Sequence, residues 1–175
     1  MAVHPNAEIM RGAVQEAFRA GPKGNYQVGA IVVDADLNIL SSTHTTLHTG
    51  FDPTAHAEIT ALRIAAAARQ SRYLEDCYLY STLEPCPMCT AAGIWAKLKG
   101  IVFGATLEDA IRFSNLNDKQ FTWRQIEMKA ERVIEVGTPR LQLVAGFLRD
   151  ECLPLFATQM PGESPGMQAR GLARG

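Results

Sequence analysis

The chain has 175 residues, and its 17 basic and 18 acidic side chains leave a net charge of −1. This length suits one domain around a single core, and the near balance of charge disfavours a protein that attracts nucleic acid through its overall field. No apolar run reaches the roughly 18 residues of a membrane span. Because the stretch MAVHPNAEIM lacks the basic and apolar regions of a secretion signal, we expect a cytoplasmic protein.

Helices and strands alternate along the predicted chain. Apolar residues at helical spacing indicate the helices, and short β-branched runs bounded by Gly, Pro, Asn or Asp indicate the strands. The predicted elements are a helix over 6–20, strands over 29–34 and 39–44, a helix over 55–69, a strand over 76–82, a helix over 87–99 closed by Gly100, strands over 101–105 and 141–145, and a helix over 147–160. Such alternation favours an α/β fold with a partly parallel sheet.

Two parts of the chain have a weaker pattern. The segment from Leu107 to Val136 contains a charged and aromatic insertion over 112–123, for which we predict a loop and a short helix. The end of the chain, over 161–175, contains Gly, Pro and Arg and is predicted to be a disordered tail. We therefore expect one domain over residues 1–160.

Two short motifs contain the residues best suited to chemistry. His56-Ala-Glu58 lies at the predicted start of one helix, and Pro85-Cys-Pro-Met-Cys89 lies at the start of another. Pro87 suits the first helical position, so Cys86 falls near the N-cap and Cys89 follows one turn later on the same side. Both sulfurs can therefore face one ion, and the positive end of the helix dipole favours their thiolate forms.

His56 adds a nitrogen ligand to the two sulfurs, a donor set that suits Zn²⁺ better than Mg²⁺ or Ca²⁺. Three protein ligands leave the fourth tetrahedral position to water, which is typical of a catalytic zinc site. Glu58 points away from the ligand face of its helix, so we predict that it carries protons beside a zinc-bound hydroxide. The alternative is a structural zinc site completed by His48 or Cys77.

The two motifs together resemble those of the cytidine and deoxycytidylate deaminase superfamily of zinc enzymes. The resemblance covers about Val28 to Ala105, with a weaker match to Phe156. Asp52-Pro-Thr-Ala-His-Ala-Glu58 and Leu83-Glu-Pro-Cys-Pro-Met-Cys89 look most like bacterial guanine deaminases and tRNA adenosine deaminases. The resemblance implies a three-layer α/β/α sandwich with a five-stranded mixed sheet, one Zn²⁺, and a homodimer whose neighbouring subunit helps to complete the pocket.

Ile94-Trp-Ala96 and the segment over 108–126 look more like guanine deaminase, where the equivalent segment helps to enclose the base. The resemblance therefore implies hydrolytic deamination of guanine or a related purine or heterocycle, with release of ammonia. The near-neutral charge and the lack of a long apolar run predict no nucleic-acid or membrane partner. The alternatives are the same reaction on a nucleoside, on cytosine or on tRNA adenosine. A further alternative, from another class, is a zinc-stabilised binding subunit without catalysis.

The sequence departs from both branches at one place. Both branches usually have an Asn ahead of the Asp-Pro-Thr-Ala-His motif, where it hydrogen-bonds the base or ribose, but this region reads Ser42-Thr-His-Thr-Thr-Leu-His48. Either His44 or Thr45 takes the place of that Asn, and neither reproduces the paired donor and acceptor of a carboxamide. The base that binds is therefore the least determined feature of the sequence.

Eight residues are the expected contacts of the substrate. They are His44, Thr45, Ala57, Pro85, Trp95, Asp109, Phe113 and Trp123. Four alternatives apply to them: His44 is simply solvated in a loop, Trp95 belongs to the core, Asp109 to a hydrated loop, and Phe113 with Trp123 to a dimer interface.

Overall fold

The computed structural model describes residues 3–116 and 126–157. Its helices and strands are α1 (Ala7–Ala20), β1 (Gly29–Val33), β2 (Ile39–His44), α2 (Ala57–Arg69), β3 (Tyr78–Leu83), α3 (Pro87–Trp95), β4 (Gly100–Ala105), α4 (Leu107–Leu116), α5 (Ala130–Val136), β5 (Gln142–Val144), α6 (Arg149–Cys152) and α7 (Pro154–Ala157). The tail predicted over 161–175 lies outside the described residues. None of the helices in the described ranges has both the length and the apolar character that crossing a bilayer requires.

The five strands form one mixed sheet in the order β2-β1-β3-β4-β5. Strand β1 is antiparallel to both of its neighbours, whereas β3, β4 and β5 run parallel to one another. One face packs against α2, α3 and α5 through residues such as Leu62, Leu79 and Ile134. The opposite face packs against α1, α6 and α7 through residues such as Met10, Tyr80 and Phe156. The predicted three-layer α/β/α sandwich is confirmed.

Two buried hydroxyls of β2 fix the position of α2 on the sheet. Ser41 donates to the carbonyl of Ala61 at 2.9 Å, and Thr43 donates to the carbonyl of Ala57 at 2.8 Å. Residues on one face of a strand recur about every 6.7 Å, and four helical residues rise about 6 Å, so the two spacings match. The first turn of α2 is thereby held at a fixed height above the sheet.

The metal-motif helix, α3, is shorter than the sequence predicted. It ends at Trp95 because Lys97 adopts a left-handed backbone, and the amide of Leu98 donates back to the carbonyl of Gly93 at 3.0 Å. Gly100, which was expected to close the helix, lies in β4 instead. A Cβ at Gly100 would come within 2.9 Å of the Tyr78 ring, so packing across the sheet explains the glycine.

Two further differences from the predicted elements have a clear local cause. Helix α2 begins at Ala57 rather than at residue 55, because Asp52 accepts from the amide and hydroxyl of Thr54 in a separate turn. The closing helix predicted over 147–160 is divided into α6 and α7. Pro154 lacks the amide hydrogen that would continue α6, which is consistent with a break there.

Candidate metal and catalytic site

The two motifs meet where α2 and α3 begin. His56 is the N-cap of α2 and Cys86 is the N-cap of α3, and neither side chain caps its own helix. An N-cap side chain normally accepts a hydrogen bond from the first turn. Here Pro87 follows Cys86 at the start of α3, and Cys89 lies one turn further along. The three side chains are therefore free to face one another.

The distances within this cluster suit one tetrahedral ion. The Nδ1 atom of His56 lies 3.7 Å from Cys86 Sγ and 3.5 Å from Cys89 Sγ, and the two sulfurs are 3.6 Å apart. Tetrahedral bonds of about 2.3 Å to sulfur and about 2.0 Å to nitrogen require separations of about 3.8 Å between sulfurs and about 3.5 Å between nitrogen and sulfur. The predicted zinc ligands thus have the spacing of a zinc site.

The ligand cluster found in the described residues contains His56, Cys86 and Cys89, without His48 or Cys77. The His48 ring instead contacts the carbonyl of Gly24, 2.7 Å from Nδ1, and Cys77 Sγ lies 3.5 Å from a carboxylate oxygen of Asp76. Neither residue that would close a structural zinc site belongs to the cluster.

The three ligand side chains are electrostatically coupled. The hydrogen bond shared with Cys89, followed by the contact with His56, lowers the pKa of Cys86 to about 4 although burial opposes this shift. The bond to Cys86, together with burial and the nearby Glu58 carboxylate, raises the pKa of Cys89. Contact with Cys86 raises the pKa of His56. Cys86 is therefore ionised at neutral pH, and its charge favours a cation at this position.

Glu58 lies beside the cluster but is not one of its ligands. Its side chain is in the first turn of α2 and the residue is only 3% exposed, and burial raises its pKa. Ser81 Oγ donates to Glu58 Oε1 at 3.2 Å. A buried carboxyl group next to this cluster of metal ligands is suitably placed to exchange protons with a molecule bound there.

Ser81 is a site residue that the sequence analysis missed. It is fully buried in β3, on the same face as Leu79, which packs under α2. A serine on the same strand face as Leu79 was the available signal, because a buried hydroxyl requires a hydrogen-bond partner. Its partner, Glu58, is distant in sequence.

Glu84 links the metal helix to the second half of the chain. Its carboxylate accepts from the amide of Leu107 at 3.0 Å and from the amide of Ala130 at 2.9 Å. These are the first residues of α4 and α5. Glu84 thus holds the starts of both helices beside Pro85 and Cys86, at the edge of a cavity of about 420 Å³ between α5 and the strands β4 and β5.

Three of the expected substrate contacts are buried, and two of them are chain neighbours of the ligands. Ala57 follows His56 and is buried, and Pro85 precedes Cys86 and is also buried. Thr45 is buried with its amide bonded to Val28, and it follows Thr43 on the strand face that meets α2. The loop after it is fixed by the buried Asn25, which accepts from the amide of His48 at 2.9 Å.

The structure does not bring His44 to the cluster. His44 points to the other face of the sheet, where its Nδ1 lies 3.0 Å from a carboxylate oxygen of Glu16 on α1. Its Nε2 lies 3.2 Å from the Lys23 ammonium. Successive strand residues face opposite sides, so Thr45, and not His44, shares the face of α2.

The remaining expected contacts either lie away from the cluster or fall outside the residues that the structure describes. Trp95 is 82% exposed, so it is not a core residue, and it ends α3 about 13 Å along the helix axis from Cys86. The Asp109 carboxylate is bonded to Thr106 and Arg149 instead of facing the cluster. Phe113 lies on α4, but its side chain and the whole of Trp123 are outside the described residues.

Comparison with known proteins identifies relatives of several kinds. The family model of the cytidine and deoxycytidylate deaminase zinc-binding region matches residues 4–105, more than half of the chain. A tRNA-specific adenosine deaminase of Aquifex aeolicus is 42% identical over 97 residues, which are 55% of this chain and 64% of that protein, so the match spans less than two thirds of the relative. A guanine deaminase of Bacillus subtilis is 38% identical over 116 residues, 66% of this chain and 71% of that protein.

The fold has solved counterparts. The structure of a guanine deaminase from Nitrosomonas europaea aligns with a TM-score of 0.73, covering 89% of this chain and 85% of that one. At 23% sequence identity, this likeness concerns the fold alone.

Proposed function

Because the chain belongs to the cytidine and deoxycytidylate deaminase family, we propose that it hydrolyses the exocyclic amine of a free purine base, guanine or a near relative, and releases ammonia. The observation that carries this proposal is the placement of the buried Glu58 beside the cluster of His56, Cys86 and Cys89. His56, Cys86 and Cys89 would hold Zn²⁺, which would supply Lewis-acid chemistry and lower the pKa of a bound water to about 7.

Glu58 performs the proton transfers in this proposal. Its carboxylate accepts one proton from water and delivers it to the ring nitrogen next to the reacting carbon. It then takes the second proton from the oxygen that has joined the carbon and passes it to the leaving amine. A bond from carbon to the water oxygen forms, and the bond from carbon to the amine nitrogen breaks. The products are an oxo-base and ammonia, and no electron is gained or lost.

We propose that the base-binding site is lined by Thr45, Ala57 and Pro85. All three are buried. Ala57 and Pro85 are chain neighbours of His56 and Cys86, and Thr45 lies two residues after Thr43, which bonds the start of α2. The Thr45 hydroxyl donates to the carbonyl of Val28 at 3.5 Å, which leaves its lone pairs for a base. The carboxamide usual in the family offers two donors on one arm and an acceptor on the other. Thr45→Asn should therefore change the ratio of kcat/KM values between bases more than Thr45→Ser does.

A free base is supported by the similarity to guanine deaminase over 66% of this chain and by the net charge of −1. A tRNA adenosine is the second candidate, favoured by the 42% identity to the Aquifex protein.

We further propose a homodimer, supported by large apolar side chains at the surface of the described residues, among them Phe51 at 92% and Trp95 at 82% exposure. Light scattering would test the dimer.

The deciding experiment measures ammonia release from guanine, guanosine, adenine, cytosine, cytidine and tRNA. We expect the highest kcat/KM with guanine, and Glu58→Gln should retain zinc yet lower kcat by about 10²-fold or more. Glu16→Gln is the matched control, because Glu16 is another buried carboxylate but lies on the opposite face of the sheet. A higher kcat/KM with tRNA than with guanine would show that a tRNA adenosine is the substrate. Zinc-loaded protein that acts on none of the panel would favour a binding subunit instead.

A further inference from the structure

We propose that Ser81 is a positioning residue that holds the Glu58 carboxylate in the orientation needed for proton transfer. This inference rests on the proposed function, because it concerns the proton carrier of that reaction. It concerns a side chain outside both motifs, 23 residues along the chain from Glu58.

The hydrogen bonds of Ser81 define the direction of its hydroxyl. The amide of Leu83 donates to Ser81 Oγ at 3.4 Å, while Oγ donates to Glu58 Oε1 at 3.2 Å. Because the amide occupies a lone pair of the oxygen, the hydroxyl hydrogen is directed away from the backbone and towards the carboxylate. Ser81 is fully buried, so water does not compete for this bond.

The strand that carries Ser81 makes it a rigid support. Strand β3 is central in the sheet, and Ser81 is paired with Ala30 on one side and with Phe103 on the other. The same strand leads directly to Pro85 and Cys86. One rigid element therefore positions both a metal ligand and the donor that orients the proton carrier.

Glu58 needs such a support because its carboxylate is at the end of a side chain with several rotatable bonds. With Oε1 accepting from Ser81, the rotation of the carboxylate is restricted, and Oε2 becomes the oxygen that exchanges protons with water and substrate. Small misplacements of a proton carrier reduce the rate of the chemical step more than they reduce binding. The role of Ser81 should therefore appear in kcat.

Three variants test the role. Ser81→Ala should lower kcat roughly tenfold while KM changes less than about twofold, because only the orientation of Glu58 is lost. Ser81→Thr, which restores the hydroxyl, should recover most of kcat. Ser41→Ala is the matched control, since Ser41 is a buried serine that bonds the backbone of α2 at Ala61 and does not contact Glu58.

Zinc content and thermal unfolding are measured for each variant. Four results would each overturn the proposal. They are a wild-type kcat in Ser81→Ala, a loss of zinc in Ser81→Ala, an equal loss of kcat in Ser41→Ala, and a folded Ser81→Thr that does not recover activity.

An infrared measurement tests the bond without turnover. In zinc-loaded protein with ¹³C-labelled glutamate, the difference from Glu58→Gln identifies the carboxyl band of Glu58. Ser81→Ala should shift this band and Ser41→Ala should not. An unshifted band overturns the inference even if the enzyme is active. A shifted band in protein that deaminates none of the panel shows instead that the proposed function has failed, and the catalytic role with it, although the hydrogen bond exists.

Discussion

His56 and Cys86 occupy the same position in two different helices, the N-cap, and their Nδ1 and Sγ atoms lie 3.7 Å apart. The positive ends of α2 and α3 therefore meet at the cluster, which favours the negative charge of the Cys86 sulfur. Neither helix has a side-chain cap, a loss of about 1 kcal/mol for each helix. A metal ion that binds both N-cap residues joins the two helix ends in place of the caps.

Replacing Cys86 with Ala should therefore abolish stoichiometric zinc binding and lower the melting temperature, because metal binding contributes to the stability of the folded chain. Elemental analysis of the purified protein and thermal unfolding check both effects. The control is Cys77→Ala, which removes a buried thiol that is outside the cluster. One zinc per chain in Cys86→Ala would contradict the ligand assignment.

Asp109 should prove to be a structural residue of α4. Its carboxylate accepts from the amide of Thr106 at 2.9 Å, the Thr106 hydroxyl accepts from the amide of Asp109, and Arg149 adds an ion pair. Such a reciprocal cap is worth about 1 to 2 kcal/mol. Asp109→Ala should lower the free energy of unfolding by about this amount, and Asp109→Asn by less, because an amide oxygen still accepts.

Urea unfolding and KM are measured together for the two Asp109 variants. An increase in KM without loss of stability would show that Asp109 contacts the base, as the sequence analysis expected.

Gly29 should tolerate no side chain, because α1 crosses the sheet there. A Cβ at Gly29 would lie 2.0 Å from the carbonyl oxygen of Ala13 and 2.7 Å from the amide nitrogen of Ala17. Since both atoms are backbone, the helix must move, and we expect Gly29→Ala to lower the free energy of unfolding by about 3 kcal/mol or more.

Gly12→Ala is the control at the same interface. Its Cβ would meet the end of the Ile31 side chain at 3.0 Å, and the substitution also raises helix propensity. Its effect on the unfolding free energy in urea should stay within about 1 kcal/mol. Equal destabilisation by the two variants would contradict this account of the crossing.

His4 should make the stability of the fold depend on pH. Its ring stacks on Tyr78 at 3.8 Å, and Nδ1 lies 2.9 Å from the Tyr80 hydroxyl. Burial lowers the pKa of His4 below its usual value of 6.5, although Ala35 and Asp34 act in the opposite direction. Below pH 6.5 the unfolded chain therefore binds the proton more readily than the folded one.

The contribution of His4 to stability is accordingly complete from about one pH unit above 6.5, and it decreases as the pH falls through 6.5 towards the folded pKa. His4→Phe keeps an aromatic ring against Tyr78 but does not titrate. The unfolding free energy of the wild type, relative to His4→Phe, should fall between about pH 7.5 and pH 5.5. Both proteins share the metal site, so its own pH dependence cancels. If the unfolding free energies of the two proteins change in parallel with pH, His4 is not responsible for the pH dependence of stability.

Much of the fold and the metal cluster could be predicted from local sequence. The helix from Ala7 and the hairpin of β1 and β2 follow from spacing within a few residues, and so does the placement of Cys86 and Cys89 on one side of α3. The resemblance to the deaminase superfamily depends on the same local motifs, and the family match confirms it.

The sequence by itself therefore determined the donor set, because ligand type and helix-end position are properties of neighbouring residues. Only the tertiary structure decided which polar side chains lie on the same side of the sheet as the cluster. Strand pairing places Thr45 on the face of α2 and turns His44 towards Glu16, and the position of α2 above β3 brings Ser81 to Glu58. Asp109 meets Arg149 across 40 residues of chain. Such contacts depend on how distant elements pack, and no local pattern encodes that packing.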